Sequence, residues 1–370
     1  MRLVLAYNDY DGISGESVFF RNMIETMGKR GIETIPLPVR QAEPGTFMGL
    51  PSHYLRFPLL SDTKKALKGI GACDIIHFLN SPLCPAGSVI KGPKKIASAH
   101  FFVESYLSST TSGNPAMGLA EKGYAAYASM LDRNAFRSLD RLVACSPHLA
   151  AVIKTAYGIG NVDVIYPGID TGYFKDIGRI DLKTRFDCDE AIVFLGRLHE
   201  RSKGVSDLIR AVRIMDRKGA KLIIVGDGPD RKGYEMLARR IGVQDRVVFT
   251  GNLDFKEKSA IQKSADLVAM PSRYEVYGTV FAESMACGVP VVAYDLPFWK
   301  GMYDGAGLFV PPSGPRSLAD GMMRVLDEPR LRKDIISKGA ELTPEHSFEK
   351  TADAYCTLYR KLASKGVDRV

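Results

Sequence analysis

The chain has 370 residues, more than one hydrophobic core usually serves, so two domains of ordinary size are expected. Apolar residues at 45% and charged residues at 25% match soluble globular composition and give no compositional case for long disorder. A net charge of +8 suits phosphorylated small molecules, anionic lipid or nucleic acid; no RNA-recognition motif or zinc-finger spacing accompanies it, which argues against nucleic acid.

Short apolar runs alternate with segments of helical period from end to end, the pattern of an α/β protein with doubly wound parallel sheets. Strands are predicted at 2–7, 32–36, 74–79, 95–100, 141–145 and 162–166, with helices at 15–30, 63–69, 117–138 and 147–157. Ser146-Pro147 makes a good helix start, because Ser caps free amides and Pro has no N–H to orphan. The turn-rich stretch Tyr166-Pro167-Gly168-Ile169-Asp170 and the polar segment to Glu190 then read as a linker. Beyond it the alternation restarts, with strands at 191–195, 221–225, 246–250, 266–270, 289–293 and 307–310. Its helices are predicted at 205–218, 231–241, 256–264, 279–287, 315–326 and 331–339. A last helix, 348–363, carries Ala352, Tyr355, Tyr359 and Leu362 at helical spacing and must pack on something. The expected division is therefore 1–170, 171–345 and a closing helix in 346–370.

Six scattered cysteines, Cys73, Cys84, Cys145, Cys188, Cys287 and Cys356, form no metal-ligand spacing and suit a reducing compartment. The apolar run Met1 to Tyr7 is too short for a signal peptide, and no stretch approaches 18 uninterrupted apolar residues, so a cytoplasmic protein is expected. Lys64, Lys65, Lys68, Lys91, Lys94 and Lys95 give a local basic excess, which reads first as a solvated face and second as a patch for peripheral membrane contact.

The strongest chemical signal runs from Pro271 to Pro290. A strand ends at Met270, a loop carries Glu275 and Tyr277, and a helix opens at Gly278 and Thr279, with Glu283 about one turn inside it. Open helix amides at the carboxyl edge of a parallel sheet bind phosphate, and Gly278 is expected to let it approach closely. Two carboxylates would then bracket the anion. A second strand-end loop, Gly196 to Gly204, offers Arg197 and Lys203; a cation before a helix start is disfavoured unless an anion shares it. Gly226-Asp227-Gly228-Pro229 lacks the third glycine of a dinucleotide fingerprint and reads as a tight turn lining a nucleotide crevice. On the first domain, Gly15 could bring amides to a phosphate, and His100 ends a buried-type strand; His77, Asn80 and His199 are weaker candidates. Asp187-Cys188-Asp189 spells a metal-binding Asp-x-Asp but precedes a strand, so metal: none is the expectation.

With these residues in place, the chain resembles the retaining glycosyltransferases of family 4, which have the two-Rossmann B-type glycosyltransferase fold. The resemblance rests on Glu275 and Glu283 with seven residues between them, the following Ala-Cys-Gly-Val-Pro-Val-Val-Ala run, the Arg197 and Lys203 loop, Gly226-Asp227-Gly228-Pro229 and Pro167-Gly168-Ile169-Asp170. It implies two Rossmann-like domains facing across a cleft, the last helix crossing back to the first. It also implies a nucleotide-diphosphate sugar as donor, with no cofactor and no metal. Glu283 would bind the ribose, Glu275 would face the sugar, Arg197 and Lys203 would hold the diphosphate, Gly15 would close from the first domain, and His100 would lie near the transferred sugar. The donor-binding set thus comprises Gly15, Arg197, Lys203, Gly226, Gly228, Glu275, Tyr277, Gly278, Thr279 and Glu283; the catalytic set is Glu275, His100, Arg197 and Lys203. Two departures stand out: Ser14-Gly15 replaces a glycine pair, and Ser284, which reads as packing, replaces an alanine. The competing readings are a sugar-nucleotide epimerase or phosphorylase on the same fold, or a non-catalytic glycosyltransferase-like subunit.

Overall fold

The structure is a computed structural model that describes residues 1–7, 15–38, 46–47, 50–51, 69–79, 90–99 and 115–364. The chain forms two compact units, Met1–Pro167 with Glu349–Val370, and Gly168–Phe348. Ile169 and Asp170, placed with the first domain on sequence, belong to the second unit for a local reason. Ile169 N donates to the His346 carbonyl and Phe348 N to that of Ile169 (2.9 and 2.8 Å), while Asp170 caps the helix Thr171–Asp176.

The first unit holds a six-stranded parallel sheet in the order β2-β1-β5-β6-β7-β8, with β1 at Arg2–Tyr7, β2 at Glu33–Pro38, β5 at Ile75–Phe78, β6 at Lys94–Ala99, β7 at Arg141–Ala144 and β8 at Val162–Val164. A two-stranded ribbon, β3 at Thr46–Phe47 and β4 at Leu50–Pro51, accompanies it. Described helices of this unit are Gly15–Lys29, Pro115–Arg137, Pro147–Tyr157 and the terminal Phe348–Ser364. Ser146 caps its helix as expected, its Oγ accepting from Leu149 N at 3.2 Å. Most of the helix expected at 63–69, together with His100 and Asn80, lies outside the described residues.

The terminal helix is fastened to the first sheet by a buried polar chain. His77 on β5 bonds Tyr359 Oη and Ser98 Oγ, each at 2.7 Å, and Ser98 on β6 bonds Tyr355 Oη at 2.8 Å. His77 therefore has a structural use. With Tyr355 and Tyr359 on one helical face, these bonds satisfy polar groups that would otherwise cost about 1–3 kcal/mol each when buried.

The second unit repeats the plan in the order β11-β10-β9-β12-β13-β14: β9 is Glu190–Leu195, β10 Ala220–Val225, β11 Val247–Gly251, β12 Leu267–Met270, β13 Val291–Tyr294 and β14 Leu308–Val310. Its four inner strands, β9, β10, β12 and β13, are near-continuous buried apolar runs, covered on both faces. The helix Val205–Met215 buries Val205, Leu208, Ile209, Val212 and Met215, a stripe at three- and four-residue spacing that packs on Pro315–Asp327. The segment read as a linker contains two short helices, Thr171–Asp176 and Leu182–Phe186. Each is too short to show a period; the caps Asp170 and Asp181, which accept from Tyr173 N and Thr184 N, were the legible signal. Among the described residues no helix is long and apolar enough to cross a membrane.

Candidate functional site

In the second sheet the order reverses at β9, which has β10 on one side and β12 on the other. The carboxyl ends of these three strands flank the switch point at which open α/β sheets bind ligands. Each end carries one of the clusters singled out in the sequence.

Between β9 and β10 the two loops meet backbone to backbone. Leu198 N donates to the Asp227 carbonyl at 2.9 Å and Asp230 N to that of Leu198 at 3.2 Å. A Cβ on Gly226 would collide with the Gly196 carbonyl, and one on Gly228 with that of Leu198. Both glycines thus have a packing reason: they let one loop seat directly on the other. Arg197 projects from the same place, exposed, and makes no hydrogen bond or ion pair with any described residue.

Lys203 stands immediately before Gly204 (φ 61°), the N-cap of Val205–Met215, as the sequence reading has it, and it also ends a short helix, Glu200–Lys203. Its ammonium is met by Glu275: the two form an ion pair, and Ser272 Oγ donates to the same Glu275 oxygen at 3.0 Å. This contact joins the loop after β9 to the loop after β12. Around it, Arg273 N donates to the Ser202 carbonyl at 2.8 Å, and the Arg273 guanidinium pairs with Glu200 (2.9 Å) and Asp207 (3.1 Å). Tyr294 Oη donates to the same Asp207 oxygen. Sequence reasoning missed this network because Glu200, Asp207, Arg273 and Tyr294 meet only once β9, β12 and β13 are side by side. His199 bonds Ser202 at 2.9 Å, and burial holds its pKa below the ordinary value.

The helix Thr279–Cys287 opens at Gly278 (φ 76°) without a side-chain cap. Phe281 N and Ala282 N reach the Gly278 carbonyl, whereas the amides of exposed Thr279 and of Val280 have no acceptor among the described residues. Two free N–H groups therefore stand at the helix mouth. Gly278 itself needs correction: the space beside its Cα is filled by Trp299, whose indole N–H donates to the Tyr294 carbonyl at 2.7 Å. An alanine Cβ there would lie 2.5 Å from the Trp299 ring. Gly278→Ala is accordingly expected to destabilise the protein by about 2–4 kcal/mol through overpacking and a left-handed backbone. A denaturant titration of unchanged midpoint would refute that. Tyr277 is also placed otherwise than expected: it is buried, its hydroxyl bonding His346 Nδ1 at 3.1 Å, so it supports the helix mouth from beneath.

Glu283 lies one turn inside and is only 5% exposed. Burial pushes its carboxyl above the usual carboxylate range, opposed by Lys258, whose Nζ stands 3.6 Å from Oε2. Among the described residues that oxygen has no hydrogen-bond donor. Ser284 is more than packing: its Oγ accepts from Gln262 Nε2 at 2.9 Å and donates to the Val280 carbonyl at 2.7 Å.

Two sequence-predicted elements fall elsewhere. Gly15 opens the helix Gly15–Lys29 of the first unit, and the residues immediately before it are not described. Asp187 is a left-handed helix cap paired with Lys221 at 3.7 Å, at the amino end of β9 and away from the switch point. Among the described residues no group of three or more His, Cys, Asp or Glu side chains is placed to hold a metal ion.

Residues 181–342 match the sequence model of "Glycosyl transferases group 1" and residues 14–173 that of "Glycosyltransferase Family 4". Relatives include an uncharacterized glycosyltransferase of Methanocaldococcus jannaschii, 34% identical over 210 residues (54% of each chain). Another is the alpha-D-kanosaminyltransferase of Streptomyces kanamyceticus, 33% identical over 200 residues (51% of this chain, 52% of that one). The chain spans about half the length of these curated relatives. In fold it is similar to sucrose-phosphate synthase of Thermosynechococcus elongatus (TM-score 0.81, 20% identity, 98% of this chain and 100% of that one). Anabaena HepE, solved in complex with UDP, gives a TM-score of 0.75 at 18% identity over 98% of this chain and 100% of that one. Matched in both of its halves by these models, the chain belongs to the group 1, family 4 glycosyltransferases.

Proposed function

We propose that the protein transfers a sugar from a nucleotide-diphosphate sugar to an acceptor hydroxyl with retention of configuration. The observation that supports this best is the uncapped helix mouth at Gly278. Its free amides at Thr279 and Val280 lie between a carboxylate that faces a lysine, Glu275, and a buried carboxylate with an unspent oxygen, Glu283. Amides, Arg197 and Lys203 stabilise the diphosphate as the bond to the anomeric carbon breaks. Glu283 takes the ribose hydroxyls. Glu275 positions sugar hydroxyls, and the leaving phosphate oxygen accepts the proton of the acceptor hydroxyl as that oxygen bonds the same face of the sugar. UDP-sugars are the first donors to try, since a structural neighbour was solved with UDP and UDP-glucose.

The test is acceptor-dependent release of nucleoside diphosphate from UDP-, GDP- or ADP-sugars; release that ignores every acceptor would sink the transfer. In the same assay, activity is expected to survive chelation, because Arg197, Lys203 and the helix amides supply the counter-charge a metal would give. An enzyme silenced by chelator and revived only by divalent ion would reverse that part of the reading.

A further inference from the structure

The helix Phe255–Ser264 carries Lys258 in its second turn, close to an N-terminus that disfavours cations. What offsets that position is Glu283. Lys258 Nζ stands 3.6 Å from Glu283 Oε2 and 5.1 Å from the Phe255 ring centroid, so ring and carboxylate together fix the ammonium. One turn further, Gln262 donates to the Val280 carbonyl and to Ser284, locking the same face onto the helix Thr279–Cys287. At 3.6 Å the ion pair is too long for a hydrogen bond, and Oε2 has no hydrogen-bond donor among the described residues.

We propose that Lys258 is a positioning residue for nucleotide binding, whose charge helps keep the buried Glu283 carboxylate ionised and oriented for a ligand's hydroxyls. This rests on the reading of Glu283 as the ribose-binding group. The other charged neighbours do not share the task. Lys263 and Arg179 act on Cys287, one turn further along the helix. Lys338 pairs with Glu341, and His346 holds Tyr277. Lys175, on the packed helix Thr171–Asp176, forms no ion pair with Glu283, and Asp176 and Glu345 carry the same sign of charge as Glu283. Burial alone would protonate Glu283 more readily, and Lys258 is the cation that opposes it.

The experiment is calorimetric titration of UDP, GDP and ADP into the wild-type chain and into Lys258→Met, Lys258→Arg and Glu283→Gln, from about pH 6 to about pH 9. The readout is each variant's Kd divided by that of the wild type at the same pH, which cancels titration of the nucleotide itself. For Lys258→Met the ratio should be roughly tenfold or more at the acid end, near that of Glu283→Gln, and should fall to about threefold or less at the alkaline end as Glu283 is forced to ionise. Lys258→Arg should stay near unity throughout. A Lys258→Met ratio that is constant with pH means a direct phosphate contact or a merely structural role, and a ratio of one means no role; either overturns the proposal. If Glu283→Gln binds as well as the wild type, or the wild type binds none of the three, the reading of Glu283 itself has failed. Lys258→Gln replaces Lys258→Met should circular dichroism show the latter unfolded.

Discussion

Glu283→Gln is expected to weaken nucleoside diphosphate binding about 10- to 150-fold, the loss of a charge-assisted hydrogen bond worth about 1.5–3 kcal/mol. Donor and bare diphosphate should suffer alike, because the ribose is common to both. The same change should leave the empty protein no less stable than the wild type. The sign follows from burial: the folded-state pKa of Glu283 is raised, so the folded chain holds its proton more tightly than the unfolded one. Stability contributed by that group is therefore present at low pH and lost as pH rises from the ordinary carboxylate value through the raised one. At neutral pH the ionised carboxylate is a cost, which Gln does not carry, and Lys258, partly exposed, can be rehydrated. Affinity down with melting temperature held or raised is the signature of a ligand-directed residue. A variant that lost both together would show Glu283 to be an ordinary part of the core.

For Glu275→Gln the expected result differs in kind. Turnover should fall about 10²-fold or more, as for loss of a group that acts mainly in the transition state. Affinity for the bare diphosphate should hold or rise by up to about fivefold, equivalent to about 1 kcal/mol. The gain has a structural cause: in the unliganded protein Glu275 already occupies Lys203, and an incoming phosphate competes with that carboxylate for the ammonium. Removing the charge frees Lys203. Single-turnover kinetics with donor, beside calorimetry with diphosphate, separate the two quantities. Should Glu275→Gln lose diphosphate binding while Glu283→Gln retains it, the donor lies the other way across the helix mouth.

Much of this protein was legible in the linear sequence. Alternation of apolar runs with helical periods is dictated by local geometry, and it located the two strand series and the helix Thr279–Cys287 without tertiary information. Loops at strand ends were likewise legible, because Gly, Pro and the cap Ser146 act over three or four residues. The tertiary structure decided what those residues touch. Packing of the β9 and β10 loops gave Gly226 and Gly228 a steric reason, Trp299 gave Gly278 another, and the adjacency of β9 and β12 turned Lys203 from a lone cation into the partner of Glu275. Lys258 and Gln262 showed no motif at all, since their partners Glu283 and Ser284 lie more than twenty residues away along the chain. Periodicity reports which face of an element is buried; only the crossing of two elements settles which buried charge is neutralised, and by what.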